Sequence, residues 1–331
     1  MKKNPVSVTS SAPGSLMLLG EHAVLHGRRA LVCAIDRRIT VSASQIKERI
    51  LRVNSDLGIY DAPLDDLSDH PDFRFVLDVV KQYPLEQGVE LKIDSDFSSD
   101  IGFGSSAAVT VATHAALMKF SGRANSPSEP LHRNDGSLGE FALPLEELFH
   151  RSLATIHRVQ GRGSGADVAA SVFGGVVAYR ADPLEIHPMD ESFPLTAVYS
   201  GSKMKTVDVI KIVEKQRKAD PEKYERIFDE MDASVGRVVD DFELLGKKLV
   251  ENQFLMEEMG LCNAALADII RKFQSLEVPA KISGSGLGDC AIGLGSVAPT
   301  SLLASGGEDR PFGNFPAYAL RVEPEGVHVE P

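Results

Sequence analysis

The stretch DIGFGSSAAVTVATHAAL, Asp100 to Leu117, decides how the chain is read. Gly102 and Gly104 flank Phe103, Ser105 and Ser106 follow, and a run of small residues then begins with helical composition. Glycines tolerate positive φ and let backbone N–H groups approach a ligand with no Cβ in the way. A helix starting at the serines would aim its positive dipole end and its unbonded amides at that loop. The segment is thus either a Ser-capped helix start or a loop that holds a phosphate. It has no Gly-Lys-Ser/Thr ending of the Walker A kind and does not fit GxGxxG, so taken alone it leaves both readings open.

Composition bounds the answer. A chain of 331 residues suits one large or two medium domains, and 43% hydrophobic with 25% charged residues is an ordinary globular mixture. A formal net charge of −12 argues against a non-specific hold on nucleic acid or anionic lipid. Cys33, Cys262 and Cys290 are far apart with no CxxC pair, which argues against a zinc site and a disulfide framework and fits a reducing, cytoplasmic compartment. The start, MKKNPVSVTSSAPGS, lacks the apolar stretch of a signal peptide. No apolar run approaches the ~20 residues of a membrane helix.

The first third reads as strands and turns, with RILRVNS and VELKIDSDF alternating at the strand period. Phe73, Val76, Leu77 and Val80 recur at helical spacing between them. Helices are predicted over Val109–Lys119, over LPLEELFHRSLATIHRVQG, and over Thr206–Arg217, Pro221–Leu245 and Leu255–Phe273. Ser121–Glu140, rich in Ser, Pro, Gly and Asn, reads as a mobile surface loop or lid. YALRVEPEGVHVE reads as a closing β-hairpin. A change of style near residue 188 predicts two domains, 1–188 and 189–331, of mixed α/β class.

Three other stations carry chemistry. In APGSLMLLGEHAVLHG, Glu21 and His22 follow Gly20 where the chain turns, either as a solvated pair or as groups facing a ligand. In QGRGSGADVAASVFGG, Asp167 opens a helix of small residues, either as an N-cap or as a carboxylate placed to take a proton from a hydroxyl. In KISGSGLGDCAIGLG, Gly284, Gly286 and Gly288 alternate with small residues between two strand-like runs, more glycine than a plain turn requires.

In this order and spacing, these four stations resemble the GHMP kinase superfamily over roughly residues 10–330. The resemblance implies an N-terminal domain like ribosomal protein S5 domain 2, a ferredoxin-like C-terminal domain, and sites for ATP and a small-molecule substrate between them. It places Gly102, Gly104, Ser105, Ser106 and Ala107 on the ATP phosphates, with Ser106 as the Mg²⁺ ligand. The first station is most similar to the mevalonate kinases. That implies Glu21 and His22 face mevalonate, Asp167 is the base for its 5-hydroxyl, and Thr206 with Gly284, Ser285 and Gly286 lies on the substrate side. A homodimer is compatible with it; nucleic acid and membrane are not implied.

The chain departs from that pattern in three places. Ser15 stands where the family has a lysine, and Ile156 and His157 stand where it has an acidic metal ligand, so the second ligand is unassigned. The later motifs, including Gly-Asp-Cys at 288–290, are closer to phosphomevalonate kinases, whose substrate carries a second dianion. His157, Arg158, Arg162, Lys203 and Lys205 are the candidate cations for such a group. Phosphomevalonate as acceptor, or a non-catalytic metabolite sensor, stay open as alternatives.

Overall fold

Ala30 to Ile35 is an unbroken apolar run in which every residue is buried. A strand covered on one face alternates, whereas an unbroken run marks burial on both faces. The computed structural model, which describes residues 7–125, 143–297 and 311–330, shows what covers them. Strands β1 (Ser7–Leu19) and β2 (Ala30–Ile46) pair antiparallel in an eight-stranded sheet. Then come β3 (Ile50–Ser55), β4 (Gly58–Pro63), helix α1 (Arg74–Val80) and β5 (Gly88–Ser95). These strands extend the sheet in the order β2-β5-β3-β4, with only β3 and β5 parallel. Helices α2 (Ser105–Asn125), α3 (Leu145–Gln160) and α4 (Ala166–Phe173) follow. After them, β6 (Val176–Ala181) pairs with the first part of β2, and β7 (Leu184–Met189) pairs with β6.

The chain then builds a second sheet. Its elements are β8 (Pro194–Tyr199), α5 (Thr206–Ala219), α6 (Pro221–Asp240), α7 (Leu245–Glu258), α8 (Ala264–Ser275), β9 (Ala280–Ser283), β10 (Cys290–Leu294) and β11 (Ala317–Arg321). The strand order is β11-β8-β10-β9, antiparallel throughout. The last strand, β12 (His328–Glu330), returns to the first sheet beside β1.

On one face of the first sheet, α2 lies against β1 and β2 through Ala108, Ala112, Ala115 and Ala116, all fully buried. Val235 and Val238 of α6 and Leu249 of α7 join the same core as Leu31–Ile35. The two sheets therefore share a core, and each aliphatic side chain fully buried there contributes roughly 1.5–3 kcal/mol. A second core, around Phe228, Met231, Leu266 and Phe273, fills the space between the later helices and the second sheet. No helix among the described residues is long and apolar enough to cross a membrane, and all three cysteines are free thiols.

Several sequence expectations need correction. The helix expected over Pro221–Leu245 stops at Asp240, because Asp241 turns extended and its carboxylate accepts from the Glu243 amide at 3.2 Å. The helix expected over Leu255–Phe273 is two helices: Gly260 ends α7 at φ 72°, and Asn263 caps α8 by accepting from the Leu266 amide at 3.0 Å. Conversely, α2 outruns Val109–Lys119 at both ends, since the first proline downstream is Pro127. The closing hairpin does not form: β11 pairs with β8 while β12 pairs with β1. Pro324 between them cannot donate to a ladder, and the Arg38 guanidinium holds the turn by donating to the Gly326 carbonyl at 2.7 Å. The loop expected over 121–140 lies largely outside the described residues.

One buried polar network predicts a pH dependence. His114 of α2, fully buried, meets the Tyr83 hydroxyl at 3.0 Å through Nδ1 and the Thr155 hydroxyl at 3.1 Å through Nε2. Burial pushes its pKa down to about 3 from an ordinary 6.5. The unfolded chain therefore binds the extra proton, and stability is lost as pH falls below 6.5. From His114 alone the loss between pH 7 and pH 5 is about 2 kcal/mol. Urea unfolding at the two pH values checks this, and a His114→Asn variant should show a smaller difference between them.

Candidate active site

The first glycine loop owes its shape to its neighbours. Gly102 and Gly104 sit at φ 77° and 67°, and a Cβ at 104 would fall 2.1 Å from the Ser15 hydroxyl. One at 102 would fall 2.9 Å from the Asp289 Cβ. The Phe103 carbonyl accepts from the Ser15 amide at 3.0 Å, and the Phe103 ring is buried against Phe97 and Tyr318, behind the loop. The Ala107 and Ala108 amides both bond the Gly104 carbonyl. That leaves the amides of Ser105 and Ser106 among those a helix start offers to an outside anion.

Asp167 does not cap its helix. Gly165 occupies the N-cap position, and Asp167, in the first turn of α4, accepts a hydrogen bond from the Ser15 hydroxyl at 2.8 Å. The carboxylate is exposed to the cavity it lines. Protein surrounds it on the other sides, and this crowding raises its pKa, with the Ser15 hydrogen bond opposing.

Glu21 and His22 follow the bulge at the end of β1, and a short 3-10 turn, Ala23–His26, follows where the sequence reads as strand. Glu21 is buried, paired with the equally buried ammonium of Lys281 and bonded by Asn252 Nδ2 at 3.2 Å. Burial pulls the Lys281 pKa down, with Glu21 opposing. His22 takes φ 60°, and its Nε2 donates to the Ser285 carbonyl at 2.9 Å, which leaves Nδ1 as an acceptor. Burial lowers its pKa and favours the neutral ring.

The third glycine loop brings positive φ at Gly284, Gly286, Leu287, Gly288 and Asp289. The loop is tied to β1 by the Ser283 hydroxyl, which donates to the Met17 carbonyl at 3.0 Å. Asp289 is buried, and its Oδ1 accepts no hydrogen bond. The Lys203 ammonium lies 3.7 Å from that oxygen and donates to the Ser99 carbonyl at 3.3 Å. Burial raises the Asp289 pKa, opposed by Lys203 and reinforced by Asp167.

A cavity of about 220 Å³ gathers these parts. Glu21, His22, Gly102, Gly104, Ser105, Ser106, Ala107, Asp167, Thr206, Gly284 and Ser285 all line it. Gly286 is not among its lining residues, and a Cβ there would meet Leu261 at 2.8 Å. Another hollow, of about 310 Å³ beside α1, has only Asp65 and Lys81 as charged lining groups and brings no acid, base and loop together. Of the five cations singled out in the sequence, only Arg162 and Lys203 reach the cavity. Arg158 pairs with Asp78 at 2.7 Å, and His157 Nε2 meets the Gly163 carbonyl at 2.9 Å.

Residues 73–175 match the model of the GHMP kinases N terminal domain, 228–300 that of the GHMP kinases C terminal, and 2–45 the galactokinase galactose-binding signature. A curated mevalonate kinase of Archaeoglobus fulgidus is 32% identical over 327 residues, covering 97% of this chain and 99% of its own. The chain belongs to the mevalonate kinase family of GHMP kinases. It is thereby a two-domain, nucleotide-using enzyme that phosphorylates an alcohol. The crystal structure of the Methanococcus jannaschii mevalonate kinase superposes on this kinase with TM-score 0.75 at 20% identity, covering 97% and 99% of the two chains. That of the L. major mevalonate kinase in complex with R-mevalonate gives 0.74 at 20%, covering 98% of each.

Sequence reasoning missed Lys281 and Asn252 in this kinase. The signal in the sequence is a lysine set between Ala280 and Ile282 in a short strand-like run that leads into the third glycine loop; the structure shows that every residue of that strand is buried. A charge is almost never buried without a partner.

Proposed function

We propose that this kinase transfers the γ-phosphoryl group of ATP to the 5-hydroxyl of mevalonate, giving ADP and 5-phosphomevalonate. The observation that carries the reading is Asp167: a carboxylate that caps nothing, held by Ser15 on the floor of the cavity that the first glycine loop also lines. In this reading Asp167 accepts the proton of the 5-hydroxyl as its oxygen bonds to the γ-phosphorus. The bond to the bridging oxygen breaks, and ADP leaves with that electron pair. The Ser105 and Ser106 amides and the start of α2 bind the phosphates, where positioning and fixed dipoles supply most of the acceleration. His22 Nδ1 accepts from a substrate hydroxyl, and Thr206, at the start of α5, borders the acceptor.

The donor set fits Mg²⁺. Among the described residues no three His, Cys, Asp or Glu converge on one point, and the cavity offers hydroxyl and carboxylate oxygens. Mg²⁺ prefers such a site, with one or two protein oxygens, substrate phosphates and several waters. The Ser106 hydroxyl would hold it, and bound there it neutralises charge on the phosphates.

Charge favours mevalonate over 5-phosphomevalonate. Arg162 and Lys203 are the lining cations among the five candidates, against Asp167, Asp289 and Glu21, the last already paired with Lys281. A second dianion calls for a denser set of lysines and arginines than this. The same reading assigns residues 1–188 and 189–331 to the two domains, in keeping with the start of the second sheet at β8, and includes a homodimer. ADP release measured with mevalonate, 5-phosphomevalonate, homoserine and galactose tests it. Turnover confined to mevalonate is expected; turnover of 5-phosphomevalonate alone overturns the acceptor, and ATP binding without turnover of any of them makes the protein a sensor.

A further inference from the structure

Asp289 occupies a costly position that the scheme above does not use. It holds φ 58°, a left-handed conformation that is uncommon for a residue with a Cβ. Two backbone hydrogen bonds keep it there: its amide donates to the Ser202 carbonyl at 2.8 Å, and its carbonyl accepts from the Ser200 amide at 2.9 Å. The result is to lay its side chain on the first glycine loop, so close that a Cβ on Gly102 would stand 3.1 Å from Oδ1. The residue is 8% exposed and lines the cavity, yet Oδ1 is out of contact with water and accepts no hydrogen bond. Lys203, at 3.7 Å, is beyond hydrogen-bond reach.

A buried carboxylate oxygen with no donor costs free energy, and beside a triphosphate it adds repulsion. A divalent cation arriving with the nucleotide removes both penalties. Meanwhile α3 supplies no acidic ligand: Ile156 is buried and His157 is engaged with the Gly163 carbonyl. We infer that Asp289, from the third glycine loop, is the carboxylate ligand that works with Ser106 to hold the Mg²⁺ of the bound nucleotide. The inference rests on the ATP-dependent reading above. It moves the acidic ligand from the helix of the N-terminal half to the last glycine loop, so metal binding requires both halves of the cleft to be in place.

The test uses Mn²⁺ and the non-hydrolysable analogue AMPPNP with the full chain. Wild-type protein should retain Mn²⁺–AMPPNP, read from the loss of the free Mn²⁺ electron spin resonance signal. If it binds neither Mn²⁺–AMPPNP nor AMPPNP, the ATP reading itself fails, and this inference with it. In Asp289→Asn, Mn²⁺ retention in the ternary complex should weaken by about tenfold or more, a typical effect of altering a metal site. AMPPNP binding in EDTA should hold or tighten, because a repulsive charge has gone. Equal weakening with and without metal would show that Asp289 only positions Lys203, and unchanged Mn²⁺ retention would remove it from the site; either overturns the inference. Wild-type protein gives a second readout independent of the variant's folding. Fe²⁺–ADP with ascorbate and peroxide should cut the backbone beside Asp289 and Ser106, and cutting beside His157 instead counts against the assignment.

Discussion

Asp167→Asn is expected to lower kcat by about 10³-fold, within the 10²–10⁴ range of a positioned general base. Affinity for ADP should be retained. Asparagine keeps the shape of the side chain and an oxygen that still accepts from the Ser15 hydroxyl, so the floor of the cavity is preserved while the proton acceptor is lost. Isothermal titration with ADP beside steady-state kinetics separates the two properties. Near-normal turnover in the variant would move the base elsewhere. A pH profile adds a check with a definite sign. Crowding raises the Asp167 pKa and the Ser15 hydrogen bond opposes that rise. The reactive form is the ionised one, so kcat/KM should climb with pH through this raised value. In Ser15→Ala the opposing hydrogen bond is gone, and the acid limb of the profile should shift to higher pH.

Ser15 also shows how far the sequence carries and where it stops. Its identity marked a departure from the lysine of related kinases, but its bond to a residue 152 positions away is a property of the fold. The glycine stations were legible because their spacing reports backbone geometry directly: Gly104 has to be glycine where the Ser15 hydroxyl would overlap any Cβ. Strands β3 and β5 were legible for a similar reason, since local alternation defines them. The closing hairpin was misread because two short strands joined by a turn look alike whether they pair with each other or with separate sheets. Only the partners β8 and β1, far away in sequence, decide it. The break at Asp241 was hidden in an otherwise continuous amphipathic pattern, where one aspartate exchanges a helical place for a capping one. Within the site, the pairing of Glu21 with Lys281 and of Asp167 with Ser15 depends on partners far away in sequence, and no local pattern shows it. Lys281 is the plainest case.

Lys281→Met is expected to destabilise the fold by about 3–5 kcal/mol, the usual cost of removing one partner from a buried ion pair. Glu21 would then keep only Asn252 as a donor, in a place with almost no access to water. The burial that lowers the Lys281 pKa is what makes the orphaned carboxylate expensive, because attraction to Lys281 offsets its own desolvation. Combining Lys281→Met with Glu21→Gln should recover most of the loss, since an amide is far cheaper to bury than a charge. Urea denaturation of the two single variants and the double variant forms a thermodynamic cycle that measures the coupling. Additive effects would mean the pair is not an interacting unit. Function should follow a different course. Glu21 is fixed at the cavity wall by the pair, and His22, the next residue, donates to the Ser285 carbonyl of the third glycine loop. The double variant should therefore refold with a raised KM for the acceptor and a near-normal KM for ATP. Equal loss toward both substrates would instead mean that the pair supports the whole cleft, rather than the wall that Glu21 and His22 form.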